Sequence, residues 1–129
     1  MATDEQRIRA LIERWADAVH VGDLPGVLRD HADGLVMFDV PPPQEGIRGI
    51  DAYSATWPPF FEWQARGASF EILELEVTAG RDVAFAWALL RCGTPQDPPG
   101  NRLRLTLGLR KEDDRWLVTH EHHSFPHTD

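Results

Sequence analysis

At 129 residues the chain has the length of one domain, and residues 1–129 are read as a single unit. Its 13 basic and 21 acidic residues leave a net charge of −8. That balance argues against phosphate backbones and anionic membranes, which require basic patches, so neither nucleic acid nor membrane is an expected partner. Apolar residues make up 42% of the chain, with five tryptophans among them. A chain of this size can bury a core of its own, without a disulfide or a metal. Cys92 is the single cysteine and cannot form an intrachain disulfide. No Cys/His group has zinc-finger spacing, and no metal site is expected. The opening segment MATDEQRIRALIERW lacks the apolar core of a signal peptide, and no run approaches the roughly 18 apolar residues of a membrane span. These features predict a soluble, cytoplasmic protein.

Ile8, Leu11, Ile12, Trp15, Ala18 and Val19 recur at helical spacing and predict an amphipathic helix from Thr3 to Val21, stopped by Gly22. Asp23 can cap a second short helix, LPGVLRDHA, with Pro25 in its first turn. GLVMFDV reads as a short strand. PPPQEGIRG reads as a loop, since proline cannot donate to a ladder. A third helix starts near Gly49 with Ile50, Tyr53 and Trp57 on one side. Pro58 and Pro59 are expected to break or kink it, with FFEW as a final turn. The period then changes to two. SFEILELEVTA and DVAFAWALLRC are strands joined around Gly80, and GTPQDPPGN is a longer loop. RLRLTLGLRK and RWLVTHEHHSF form a closing hairpin across EDD. This order, α-α-β-α-β-β-β-β, predicts an α+β fold with three N-terminal helices on one face of a curved antiparallel sheet.

The last strand carries the densest chemistry. Alternation puts Trp116, Val118, His120, His122 and Ser124 on one face, a stripe running from apolar to polar. Imidazole titrates near neutral pH, so His120 and His122 are candidate acid/base groups. The same count sends Glu121 and His123 to the outer face or a dimer interface. Asp39 ends an apolar strand and precedes three prolines. It can be a base at a pocket floor or a cap on the loop that follows. Trp15, Tyr53, Trp57 and Phe60 form an aromatic side of the helices, able to line a pocket for a flat, apolar or aromatic small molecule or simply to fill the core. Tyr53 must find a partner if buried. Arg102, Arg104 and Arg110 alternate with Leu103, Leu105, Leu107 and Leu109. If the leucines face inward, the arginines lie outside; a change of register would make Arg104 a pocket cation for a carboxylate. No glycine-rich phosphate loop and no nucleophile elbow is present.

The segments VHVGDLPGVL, HADGLVMFDVPP, IRGIDAYSATWPPFF and LTLGLRKEDDRWLVTHEHHSFP, in this order, resemble the SnoaL-like family. That family lies within the nuclear transport factor 2-like, or ketosteroid-isomerase-like, superfamily. The resemblance implies a cystatin-like cone, a curved sheet wrapped around helices with an apolar pocket between them, and a homodimer built through the outer sheet face. In the isomerase branch the general base falls on Asp39, the phenolic oxyanion donor on Trp15 and the second acid near Leu107. One position of three is kept, and steroid isomerisation is therefore not expected. The scytalone-dehydratase-type branch works with histidines and an aspartate, and the SnoaL-type cyclases with an aspartate. The resemblance thus implies isomerisation, dehydration or cyclisation beside a carbonyl without a cofactor, with Asp39 and His120 or His122 at work. The alternative is a ligand-binding or dimerisation module that keeps the cone and no reaction.

Overall fold

A computed structural model of the chain describes residues 1–127. Thr3 opens helix α1, Asp4–Val21, with a capping box. Its hydroxyl accepts from the Gln6 N–H at 3.2 Å, while the Gln6 side chain accepts from the Thr3 N–H at 2.9 Å. Gly22, at φ 77°, ends the helix in the left-handed conformation that glycine adopts without strain. Asp23 caps α2, Leu24–Leu28. This helix is shorter than its sequence pattern implies, because Arg29 is extended and Asp30 turns back at φ 58°. Strand β1, His31–Phe38, therefore starts three residues before the predicted GLVMFDV run. After the proline loop, the two-residue β2, Ile47–Arg48, pairs with β1.

Helix α3 spans Ile50–Gln64 and continues through Pro58 and Pro59 without the expected break. Both prolines are exposed, so the carbonyls of Ser54 and Ala55 lose their helical donors on a side where water is available. Strands β3, Ser69–Ala79, β4, Val83–Gly93, β5, Leu103–Glu112, and β6, Arg115–Ser124, follow as antiparallel neighbours. The curved sheet has the order β2-β1-β6-β5-β4-β3, and β1 lies parallel to β6. The fold is α+β with three helices against one sheet face, as the periodicities predict. The core joins Ile8, Ile12, Trp15 and Val19 of α1 and Tyr53 and Trp57 of α3 to Leu103, Leu105, Leu107 and Leu109 of β5.

One irregularity decides which side chains reach that core. Leu109 pairs with Val118, but Gly108 pairs with His120, leaving Thr119 as an extra residue on β6. Such a bulge shifts the alternation by one. Trp116 and Val118 point inward before it, and Glu121 and His123 point inward after it. The outer face receives His120 and His122 instead. His120 gives its Nδ1–H to the Val36 carbonyl at 2.7 Å, and both rings pack edge-on against Phe38. Phe38, His122, Thr106 and Trp87 follow one another across the outer face, and Phe85 lies one row away beside Gly108. Phe85 and Trp87 are 51% and 39% exposed there.

Candidate functional site

A cavity of about 480 Å³ opens between α3, the end of β1 and the sheet. Trp57, Phe60 and Trp63 of α3 form one wall, and Phe70, Leu103 and Phe125 close the other. α3 presents these rings because Trp57, Phe60 and Trp63 fall at helical spacing on one face. Polar groups enter the wall at few points: Asp39 after β1, Thr56 on α3, His123 on β6, and Asp97 and Asn101 on the loop after β4. An apolar hollow with a few convergent polar groups is the usual form of a small-molecule site. A second hollow of about 330 Å³ lies against the same loop and shares Cys92, Asp97 and Asn101. No aromatic ring lines it, so it offers a ligand little to bury.

Behind His123 lies a buried polar network. Glu121 is 0% exposed and accepts three bonds: from Tyr53 Oη at 2.7 Å, His31 Nε2 at 2.6 Å and His123 Nε2 at 2.9 Å. Tyr53 in turn accepts from Trp15 Nε1 at 3.1 Å. His31 Nδ1 lies 2.8 Å from the Arg29 carbonyl, which can only accept. Both nitrogens of His31 therefore carry protons, and His31 pairs with Glu121 as an imidazolium. Burial alone would raise the Glu121 pKa. The hydrogen bonds from His123 and His31, with the charge of His31, overcome it and hold the carboxyl at about 2, against an ordinary 4.5. Burial likewise opposes the charge on His31, but the bond to Glu121 and its charge carry His31 above 6.5. Desolvation and the neighbouring Glu121 charge push the Tyr53 phenol well above 10.

His123 connects network and cavity. It is 6% exposed, lines the hollow, and meets Trp15 and Trp57 edge-on. Because Glu121 takes the proton of Nε2, Nδ1 is the nitrogen left for a bound molecule. A carboxylate that fixes one tautomer so that the other nitrogen can act is the logic of a carboxylate–histidine dyad.

The predicted site residues divide into three groups. Asp39, Trp57 and Phe60 meet at the cavity. Asp39 is half-buried, and its Oδ1 accepts from the Val40 N–H at 2.8 Å, which is the loop-capping contact foreseen as its alternative role. Trp15, Tyr53 and Leu107 are buried in the core behind the cavity. His120, His122 and Arg104 are outside. Arg104 is exposed and donates to the Phe125 carbonyl at 3.3 Å, so the leucine face of β5 points inward and the pocket-cation alternative falls away. The inward reading of His120 and His122 is corrected by the Thr119 bulge, and so is the outward reading of Glu121 and His123. Sequence reasoning passed over His31 altogether. The available signal was the mismatch between β5, whose leucines alternate without interruption, and β6, whose apolar alternation stops at Val118. Among the described residues, no three His, Cys, Asp or Glu side chains form a group able to hold a metal, and no helix is long and apolar enough to cross a membrane.

The geometry leaves the isomerase pattern incomplete. An acid does stand near the Leu107 position: Glu121 is its cross-strand partner. Glu121 is ionised, however, and accepts without donating. Tyr53, the phenol nearest to Trp15, spends its proton on Glu121. Neither group can donate to an enolate oxygen in the cavity.

The family model of the SnoaL-like domain matches residues 8–128. Among solved structures, an NTF2-like protein of unknown function from Pseudomonas putida KT2440 is 38% identical. That match covers 96% of this chain and 87% of that one, with a TM-score of 0.83. A proposed ketosteroid isomerase from Shewanella frigidimarina NCIMB 400 is 20% identical over 89% of this chain and 92% of that one, with a TM-score of 0.71. A proposed dehydratase of the NTF2-like family from Streptomyces avermitilis is 14% identical over 97% of both chains, with a TM-score of 0.77. At these lower identities the likeness concerns the fold. A search of curated proteins finds no significant match.

Proposed function

This chain belongs to the SnoaL-like family, and on that premise we propose that it binds a small apolar or aromatic molecule in the cavity and transfers a proton within it. The carrying observation is that Asp39 and His123 line one aromatic-walled cavity, with His123 oriented by the buried Glu121. His123 thus takes the part first given to His120 or His122. One of the two groups removes a proton from carbon beside a carbonyl, and the electron pair moves toward the carbonyl oxygen. Returning the proton at another carbon is isomerisation. Delivering it to a β-hydroxyl, which leaves as water, is dehydration. Neither route needs a cofactor. The descriptions of the Shewanella and Streptomyces proteins belong to these two reaction classes.

The test is turnover of ketones, lactones and β-hydroxy carbonyl compounds by wild type, Asp39→Asn and His123→Ala. The expected loss is about 10²-fold or more in kcat for each variant. Full activity in both variants would exclude the mechanism.

A second reading, the non-catalytic ligand-binding module, is favoured by the bond from Val40 N–H to Asp39. It predicts saturable ligand binding that both variants retain, with no conversion by wild type.

The exposed Phe85 and Trp87 on the outer sheet face support a homodimer joined through that face.

A further inference from the structure

We propose that the molecule taken up by this cavity carries a protonated amine on an aromatic or apolar body, and that the cavity turns away the matching carboxylate. The inference rests on the cavity being a small-molecule site, as proposed above, and adds the charge of the ligand.

The charged groups of the wall are of one sign. Asp39 and Asp97 enter it, and among the described residues no lysine or arginine does. The nearest arginines are occupied elsewhere. Arg91 faces the second hollow and lies 3.6 Å from Glu71. Arg102 donates to the carbonyls of Pro99 and Asn101, and Arg104 to that of Phe125. Among the described residues, each wall carboxylate keeps one oxygen free of protein donors. Asp39 engages Oδ1 with Val40 N–H, leaving Oδ2. Asp97 engages Oδ2 with the Thr94 N–H and hydroxyl, leaving Oδ1.

The two act on the same spot. Cys92, in the wall with both, has its thiol pushed up to about 12, first by burial and then by the charges of Asp39 and Asp97. His123 adds a buried polar group to the same wall. It is more than nine-tenths buried, opens on the cavity, and keeps Nδ1 free as a hydrogen-bonding atom for a ligand. The remaining wall is aromatic, and ring faces attract cations. An amine would therefore find two carboxylate oxygens and several ring faces, while a carboxylate would meet two like charges and no fixed cation. The net charge of −8 strengthens that preference at long range.

Isothermal titration of three matched ligand sets tests this. The bodies are phenyl, naphthyl and indolyl, each offered as the ethylamine, the neutral ethyl compound and the acetate. In any set that binds, the amine should bind about fivefold more tightly than the neutral compound, with the acetate weakest. Asp97→Asn preserves the turn to Thr94, since an amide oxygen also accepts. It should weaken the amine about threefold and leave the neutral compound unchanged. An acetate that binds as tightly as the amine, beside a neutral compound that still binds, overturns the charge inference and leaves the cavity reading standing. An amine advantage that survives in both Asp97→Asn and Asp39→Asn also overturns it. No saturable binding in any set at millimolar concentration removes the cavity reading, and the charge inference with it.

Discussion

Glu121 is a carboxylate with no access to water, and its cost is offset only by its three donors. Removing it leaves the His31 imidazolium buried without a counter-charge. Glu121→Ala should therefore lower the unfolding free energy by about 3–5 kcal/mol in urea denaturation. The pair also imposes a pH window. The Glu121 value falls from 4.5 in the unfolded chain to about 2 in the folded one, so its contribution is complete above 4.5 and lost as pH falls toward 2. The His31 value is raised above 6.5, so its contribution is complete below 6.5 and lost as pH rises through the folded value. Stability from this network should peak between these limits. The urea midpoint, followed across pH, should drop on both sides for wild type, and both flanks should flatten in Glu121→Gln. Identical pH profiles for the two proteins would show that the network contributes no such window.

At the scale of elements, the boundaries of α1, α3 and the four long strands follow from periodicity, caps and turn residues, all of which act within a few positions of chain. The Thr119 bulge is of another kind. A bulge is set by what two strands bury together, so nothing at Thr119 itself marks it, and counting by twos through it sends every later side chain to the wrong face. That is why the place of Asp39, Trp57 and Phe60 at the cavity was legible, while the inward placement of His123 and Glu121 was not. Two variants separate the bulge from its side chain. Thr119→Ala removes the hydroxyl bond to the Gly108 carbonyl and should cost only about 0.5–1.5 kcal/mol. Deleting Thr119 takes out the surplus residue, so that His120 follows Val118 in plain alternation with Glu121 and His123 still inward, and a cooperative unfolding transition should remain. A deletion variant with no cooperative transition would mean that Thr119 is not a surplus residue in the ladder.

At the scale of the whole molecule, three helices cover one sheet face and leave the other with Val83, Phe85, Trp87 and Phe38 exposed. Clustered aromatic rings on an open sheet mark an association surface. Sedimentation at micromolar concentration should give a dimer for wild type and a monomer for Trp87→Glu, with unchanged circular dichroism for the monomer. A wild type that sediments only as a monomer would end this reading. The placement of His120 and His122 becomes informative here, since both pack on Phe38 within that same face.

The parallel pairing of β1 with β6 governs the order in which the molecule can assemble as it is synthesised. His31 is made early, but its counter-charge, Glu121, is made about 90 residues later, and β1 has only the short β2 beside it until then. At translation rates of about 5–20 residues per second, the nascent chain holds half of a charge pair and the apolar stripe of α1 uncovered for on the order of ten seconds. Sheet closure is thus a late, long-range event with a large loop-closure cost, and a chain stalled before β6 is a natural client for chaperones and proteases.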